Sequence, residues 1–307
     1  MNIPRLSGSV GAGNAQNNAN DVKLIRALLN VYLRTQKQAV LPITTTNDAV
    51  LEQAIHDFQV KTLKSTNPDS RVDVRGNTFS TLRNTLKNTF RPTSFKAPTF
   101  GIVTWESEGT EGGFYHSRKL HVPSRFSGLT IGRGYDCSQK TQHQISGDLI
   151  VAGVTHSKVL ILKKAAGLKG KRAEQFIIDN DLLDYQITHA MQHALFKISY
   201  EYEAQVVRQI SKSMFNISNY GKVDWSKTNK FLKDIIIDLK YRGDYTTKSR
   251  KFIQKPLANN DVASFKKIIR DKAKWPNVPQ DRFTRRSNFI SKAVISNPNK
   301  KNTTKTP

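Results

Sequence analysis

The chain has 307 residues, which is too long for one small domain and suits a small module joined to a domain of roughly 200 residues. Its hydrophobic fraction of 37%, with 15 Phe, 9 Tyr and 3 Trp, excludes a generic disordered composition. The net charge of +25 indicates attraction to a polyanion, but it does not distinguish nucleic acid, an anionic membrane and the bacterial envelope.

Cysteine content and hydropathy predict the compartment of synthesis. The single cysteine, Cys137, excludes an internal disulfide, so the fold does not depend on an oxidising compartment. No basic segment followed by an apolar stretch is readable near Arg5, and no run of 18 apolar residues occurs. We therefore expect synthesis in the cytoplasm without a signal peptide, no membrane insertion, and delivery by another machine if the substrate lies outside.

The first 90 residues predict three short amphipathic helices. Asn20 and Asp21 offer an N-cap for the first helix, and Thr78 offers one for the third. Apolar residues recur at helical spacing in all three segments. In chain order they are Val22, Ile25, Leu28, Leu29 and Tyr32, then Leu51, Ala54, Ile55 and Phe58, then Leu82 and Leu86. This periodicity predicts a compact module over residues 1–90, and by itself it fits any three-helix bundle.

A proline-containing polar stretch at 91–98 is typical of a linker, and it separates the module from a predicted second domain at 99–295. The second domain shows helical patterns over 183–211, 229–241, 263–273 and 281–294, whereas the Gly-rich and Ser-rich segment 114–136 predicts short strands and turns. Residues 296–307 are predicted to be a polar tail. The expected fold class is mainly α, of α+β type, with a small β-hairpin subdomain.

The segment 104–138 carries the residues with chemical potential: three glutamates, one aspartate and six glycines. Hydrolysis of a glycosidic bond uses two carboxyl groups in unlike environments, one of which holds its proton near neutral pH. Glu108 is the candidate acid because Gly109 can end the helix before it, and Asp136 is the candidate partner. Helical spacing does not separate Glu106 and Glu111 from Glu108, and solvated loop carboxylates are the competing interpretation.

The N-terminal module resembles the peptidoglycan-binding domain family. The likeness rests on SVGAGNAQNNANDVKLIRALLN, then AIHDFQ, then RVDVRGNTFSTL, with Arg26 where the family commonly has Gln. It covers nearly the whole module. The resemblance implies that this module binds bacterial cell-wall peptidoglycan.

The string LTIGRGYD at 129–136 resembles the Thr-Ile-Gly-x-Gly turn of phage lysozymes and pesticin-like muramidases. The resemblance implies that Glu108 is the general acid and that Thr130 positions the attacking water. Phage lysozymes place the catalytic Asp six residues before that Thr, where this chain has Ser124, whereas the pesticin-like pattern places it six after, at Asp136.

Further matches extend this second resemblance over most of 99–295 and imply substrate contacts. They are AGLKG, AMQHALF, DLKYRGDY and WPNVPQDRFTRR. The predicted substrate-binding residues are Tyr115, Arg118, Tyr135 and Arg242, and Tyr245, Trp275 and Arg282 are further candidates for a sugar cleft. For each of these side chains, packing is the competing interpretation.

Together the resemblances imply a lysozyme-like muramidase that cleaves the glycan of peptidoglycan and needs no cofactor. With no readable signal peptide, they imply an antibacterial effector delivered by a secretion system such as type VI. It would act in the periplasm of target bacteria and be neutralised in the producer by an immunity protein. A phage endolysin is a close variant of this prediction.

Two other classes of function have weaker support. His189 and His193 are spaced i, i+4, as in a zinc peptidase or amidase, but Ala-Met-Gln lies between them and no third ligand is evident, so we expect no metal. The charge alone motivates a nucleic-acid-binding protein, but without a nuclease motif we expect only non-specific binding. Cys137 has no CxxC partner and is expected to be inert.

Overall fold

A computed structural model describes residues 5–294, which form a mainly helical structure with two small antiparallel sheets. The predicted polar tail at 296–307 lies outside the described residues. In chain order the elements are β1 (Val10–Gly11), α1 (Ala19–Thr35), α2 (Ala49–Lys61), β2 (Arg71–Val72), α3 (Asn77–Thr89), α4 (Ile102–Ser107), β3 (Thr130–Ile131), β4 (Tyr135–Asp136), α5 (Gln142–Val151), α6 (His156–Leu162), α7 (Lys171–Asp179), α8 (His189–Lys212), α9 (Met214–Tyr220), α10 (Lys230–Arg242), α11 (Thr247–Ala258), α12 (Val262–Ile269) and α13 (Gln280–Ser291).

The described residues divide into two compact units. The first contains the residues up to 96 together with 108–197, and the second contains 97–107 together with the residues from 198 onward. The predicted domain boundary at 91–98 stays a prediction. Within residues 5–294, none of the helices has the length and apolar content needed to cross a bilayer.

The three predicted N-terminal helices are confirmed as α1, α2 and α3, but the predicted caps were wrong: α1 begins at Ala19, before Asn20 and Asp21, and α3 begins at Asn77, before Thr78. The apolar faces of the three helices form one core with the β1–β2 pair. Arg26, which stands where the resembled family commonly has Gln, is fully buried in this core. Its guanidinium lies 2.6 Å from Asp48, and Asp48 also caps α2 by accepting from the backbone N–H of Leu51. Because a buried charge is tolerated only when paired, Arg26 and Asp48 fix the angle between α1 and α2.

The module shares its core with later parts of the first unit. Ile178, in α7, and Leu183, just beyond it, pack against the core of the module. Arg34, near the end of α1, forms ion pairs with Asp181 and, at 2.8 Å, with Asp184. Apolar burial and charge pairing therefore hold the module against residues more than 140 positions away in sequence.

The predicted turn-rich segment forms the β3–β4 hairpin. Thr130 pairs with Asp136 and Ile131 pairs with Tyr135. The connecting turn contains Gly132 with φ 64° and Gly134 with φ 85°, a left-handed backbone that strongly favours glycine. The glycine spacing of the TIGRG string is therefore what this tight turn requires.

The four predicted helices of the second domain exist as α8, α10, α12 and α13, with shifted ends. The helix predicted to begin at residue 183 begins at His189, so the predicted start was wrong. The Thr188 hydroxyl accepts from the backbone N–H of Met191 at 3.2 Å, so it caps α8, which begins at His189. The helix predicted over 263–273 ends at Ile269, because Asp271 begins a separate 3-10 turn over 272–274.

Candidate functional site

Glu108 directly follows the last residue of α4, and its side chain is half-buried. The carbonyl of the next residue, Gly109, accepts a hydrogen bond of 2.6 Å from the guanidinium of Arg133, which lies in the β3–β4 turn. A Cβ at position 109 would lie 2.6 Å from the Cβ of Ser117 and 3.1 Å from Cγ of Arg133. The glycine after Glu108 is therefore required by close packing against the hairpin turn and its neighbours.

Thr130 and Asp136 lie directly opposite each other in the hairpin. Thr130 is buried, and its hydroxyl donates to the Gly128 carbonyl at 3.3 Å. The half-buried Asp136 carboxylate accepts from the backbone N–H of Ser138 at 2.7 Å and of Gly128 at 3.3 Å. A Cβ at Gly128 would lie 2.4 Å from one of these carboxylate oxygens, so the Asp136 carboxylate occupies space that only a glycine leaves free.

The structure thus fastens the segment after Glu108 to the hairpin that carries Thr130 and Asp136. Arg133 makes this link, because it binds the Gly109 carbonyl from the turn between the two strands. That Glu108 and Asp136 face one another across a groove stays a prediction.

Glu111, the alternative acid, lies in a buried polar cluster. Its carboxylate accepts from Nε of Arg118 at 3.0 Å, from the hydroxyl of Ser117 at 3.2 Å and from the amide of Gln192 at 3.4 Å. The guanidinium of Arg133 lies 3.8 Å away. Burial alone would raise the pKa of Glu111, but Arg118 above all holds it below the usual range. This carboxylate is therefore charged at neutral pH and unsuited to donating a proton there.

His116 belongs to the same cluster, and sequence reasoning missed it. Its Nδ1 accepts from the backbone N–H of Gly112 at 2.8 Å, so Nε2 carries the proton that it shares with Gln186 at 3.1 Å. Burial lowers the pKa of His116, which keeps the ring neutral although Glu111 is 3.4 Å away. Gln192 of α8 also escaped detection, because it lies 81 residues from Glu111 in sequence.

Three predicted substrate-binding residues of this region differ in accessibility. The Arg118 guanidinium is buried against Glu111, the Ile187 carbonyl and the hydroxyl of Thr93. The Tyr135 hydroxyl is buried and donates to Asp148 at 2.7 Å, and its burial raises the pKa of the phenol. Tyr115 is 62% exposed. Of these three side chains, Tyr115 has the surface that an added sugar ring could contact.

The other candidates for a sugar cleft lie in the second unit. Arg242 contacts Asp244 at 2.5 Å and the Asn277 carbonyl at 2.6 Å. Tyr245 and Trp275 are buried; the Tyr245 hydroxyl donates to Gln254, and the Trp275 indole donates to the Ile268 carbonyl at 3.0 Å. Packing residues form hydrogen bonds of this kind. The alternative interpretation, that these side chains serve packing and not sugar binding, therefore explains their contacts.

Arg282, the remaining candidate, is buried beside Asp238 of α10 at 2.6 Å. Trp275, Asp244 and Asn277 also line a cavity of about 230 Å³ within the second unit. Substrate binding by any of these residues stays a prediction.

The histidine pair and the cysteine have defined surroundings. The ring of His189 stacks on Phe95 at 4.6 Å, and its Nε2 lies 2.6 Å from the hydroxyl of Thr93. Over residues 5–294, no group of three or more His, Cys, Asp and Glu side chains is arranged to hold a metal ion. Cys137 is fully buried, and burial raises the pKa of its thiol, so the sulfur stays protonated at neutral pH.

Part of the chain matches a known protein family. A search of curated proteins with this sequence finds no match. Residues 101–287, more than half of the chain, match a domain family described as a domain of unknown function, DUF8812. This stretch contains α4, the β3–β4 hairpin and most of the helices of the second unit. The chain therefore belongs to the DUF8812 family.

Proposed function

We propose that this protein is a muramidase that cleaves the glycan strands of peptidoglycan, with Glu108 as its general acid. The observation that carries the proposal is the link between Gly109 and Arg133, which joins the segment after Glu108 to the hairpin bearing Thr130 and Asp136. A carboxyl group after a short helix, beside a TIGRG hairpin, is the arrangement that the lysozyme-like resemblance implies.

The three proposed catalytic side chains have different roles. Glu108 protonates the oxygen of the leaving sugar, because bond cleavage needs a proton donor on that side. Asp136 is the second carboxyl group, and the two backbone N–H groups that it accepts from hold it in a fixed orientation. Thr130, opposite Asp136 in the hairpin, positions the attacking water.

The surroundings of the three glutamates favour Glu108 as the acid. Glu111 is charged at neutral pH because Arg118 holds its pKa down. Glu106 is exposed on α4, so it lacks the partly buried surroundings expected of a catalytic acid. Glu108 is half-buried, and the packing of Gly109 fixes the backbone after it.

The proposed setting is the cell wall of a target bacterium. The resemblance of the N-terminal module to peptidoglycan-binding domains supports anchoring, which raises the local concentration of substrate around the catalytic residues. The net charge of +25 favours association with an anionic envelope. The proposal includes secretion as an antibacterial effector and a cognate immunity protein in the producer.

The test is hydrolysis of purified peptidoglycan by the wild-type protein and by Glu108→Gln. We expect Glu108→Gln to lower the rate by at least about 100-fold, the usual contribution of a general acid. Glu106→Gln is the matched control, since it makes the same change two residues away and should retain activity. Mass spectrometry of the soluble fragments should show a reducing-end N-acetylmuramic acid.

Two results would overturn the proposal. The first is full activity of Glu108→Gln with the wild-type circular dichroism spectrum. The second is release of free peptides without new reducing ends, which would identify an amidase or peptidase instead.

A further inference from the structure

The first unit contains a cavity of about 690 Å³ with no assigned role. Its walls come from the N-terminal module, from residues 119–122 and from α7. Neither Glu108, Thr130 nor Asp136 lines it, so it is separate from the proposed catalytic residues. Its volume is in the range of small-molecule sites, roughly 300–1,000 Å³.

Lys119 is the most unusual side chain of this cavity. It is only 7% exposed and lies over the rings of Phe90 at 5.2 Å and Phe114 at 5.7 Å. Among residues 5–294, the structure gives its ammonium group no carboxylate within salt-bridge distance and no hydrogen-bond acceptor. Burial lowers the pKa of Lys119 to about 8, so the group is still mostly charged at pH 7. A buried cation without a counter-ion is costly, which favours an anion supplied by a ligand.

The other charges of the lining are mainly positive. Arg5 and two residues of the first turn of α7, Lys171 and Arg172, line the cavity. Among residues 5–294, the acidic lining residues are Asp21 and Glu174, so the described part of the lining has four basic groups and two acidic ones. The Asp21 carboxylate is already bound by the Ser7 hydroxyl at 2.6 Å and the Gly8 N–H at 2.8 Å.

His121 also lines this cavity but does not add to the charge. Burial lowers the pKa of His121 to about 4, so its ring is neutral at pH 7. The cavity therefore attracts anions at neutral pH.

Much of the remaining wall is apolar. It consists mainly of aliphatic side chains: Leu6, Leu24, Leu86, Leu120, Val122, Ile177, Ile178 and Leu183. A ligand that fits this cavity has an anionic group that pairs with the Lys119 ammonium and alkyl groups that pack against the aliphatic wall. A single carboxylate neutralises the buried ammonium of Lys119, and Arg5, Lys171 and Arg172 remain for further carboxylates of the same ligand, which suits a molecule with several separate carboxylates.

We propose that this cavity binds a short peptide through a free carboxylate, which forms an ion pair with Lys119. The source of the peptide rests on the function proposed above: it is the stem peptide of peptidoglycan, the part of the polymer that combines carboxylates with alkyl side chains. The cavity then recognises the peptide while Glu108 acts on the glycan.

The test is calorimetric titration of the full-length protein with four probes. They are a synthetic stem tetrapeptide with free carboxylates, the same peptide with every carboxylate amidated, N-acetyl-leucine, and the uncharged sugar N-acetylated chitotetraose. We expect only the free peptide to bind through the cavity. Lys119→Met should weaken that binding by at least about 30-fold, as when one partner of a buried charge pair is removed.

Two variants serve as controls. Lys164→Met removes an exposed lysine of the same unit and should bind as the wild type does. Lys119→Arg keeps the charge and should retain measurable binding. Because amidation changes the ligand and not the protein, that comparison remains valid even if Lys119→Met does not fold.

Each alternative result has a distinct meaning. Equal binding of the amidated and the free peptide would overturn the carboxylate site. Equal affinity for N-acetyl-leucine, which carries a carboxylate but is foreign to peptidoglycan, would uphold the site and overturn the stem peptide as its specific ligand. No binding of the peptide to a protein that hydrolyses peptidoglycan would overturn the site alone. Peptide binding by a protein that does not hydrolyse the glycan would uphold the site and overturn only the muramidase proposal.

Discussion

Among single residues, Glu111 is a carboxyl group in the segment with predicted catalytic residues, but its contacts are with arginines that it pairs with and orients. It lies between Arg118 and Arg133, and Arg133 also binds the carbonyl after Glu108. The charge of Glu111 therefore orients the arginine that ties Gly109 to the hairpin. Its contacts suit a positioning role in the proposed site better than the role of general acid.

We expect Glu111→Gln to lower the free energy of unfolding by about 3 kcal/mol at pH 7, because it leaves Arg118 buried without its counter-ion. The folded protein holds the pKa of Glu111 below its ordinary value of 4.5. The stabilisation is therefore complete above that pH and is lost as the pH falls through the folded pKa. Urea unfolding of both proteins from pH 7 to pH 3 should show their difference shrinking below about pH 4.5.

Glu106→Gln is the control for this measurement, because Glu106 is exposed on α4. It should change the free energy of unfolding by less than about 0.5 kcal/mol. A constant difference between the wild type and Glu111→Gln over the whole pH range would contradict the assigned role of Glu111.

Among the secondary-structure elements, α10 and α13 are joined by a buried charge network. Asp238 of α10 is fully buried and lies 2.6 Å from both Arg282 and Arg286 of α13. Arg286 also forms an ion pair with Asp244 at 2.8 Å, and Asp244 forms a further ion pair with Arg242. Burial alone would raise the pKa of Asp238, but Arg286 and Arg282 hold it below its usual range. These ion pairs therefore fix the position of α13 along α10, although the two helices are far apart in sequence.

Asp238→Asn is expected to destabilise the protein by about 3–5 kcal/mol, because two arginines would keep buried charges without a full counter-ion. Asp281→Asn is the matched control: Asp281 pairs with Arg285 of the same helix on an exposed surface, and its loss should cost less than about 1 kcal/mol. Thermal unfolding followed by circular dichroism compares the two. Similar small shifts for both variants would show that the network does not hold α10 to α13.

At the scale of the whole molecule, the N-terminal module is part of the first unit and not a separate attachment. Its core includes contacts with Ile178 and Leu183, and Arg34 pairs with Asp181 and Asp184. Packed in this way, the module stabilises the neighbouring chain, in addition to the anchoring role proposed for it. The cavity lined by Lys119 depends on the same arrangement, because the N-terminal module and later residues of the first unit both contribute to its walls.

We expect a chain that begins at residue 97 to aggregate, since removal of the module exposes Ile178 and Leu183 and leaves Asp181 without Arg34. Binding of a hydrophobic dye and size-exclusion chromatography measure this effect. Arg34→Ala is the control, because it removes the ion pairs but keeps the apolar cover and should stay monodisperse. A soluble truncated chain that unfolds cooperatively and binds no dye would show that the module is dispensable.

The sequence by itself determined the local features of this protein. Helical periodicity predicted α1 to α3 and most of α8, α10 and α13, because burial of one face repeats every three to four residues. The Gly-rich and Ser-rich composition of 114–136 predicted short strands and turns, and the β3–β4 hairpin lies in this segment, with left-handed backbone at Gly132 and Gly134 in its turn.

Only the tertiary structure decided which distant side chains meet. Gln192 beside Glu111, Arg34 beside Asp181, and Arg286 beside Asp238 are separated by 81, 147 and 48 residues, and no local pattern encodes such pairs. The same contacts decided that Glu111 is a charged, buried partner of Arg118. They also decided that Lys119 lines a cavity and that, among residues 5–294, no carboxylate lies within salt-bridge distance of its ammonium group. Burial and long-range charge pairing set these properties, and both depend on how the elements pack together.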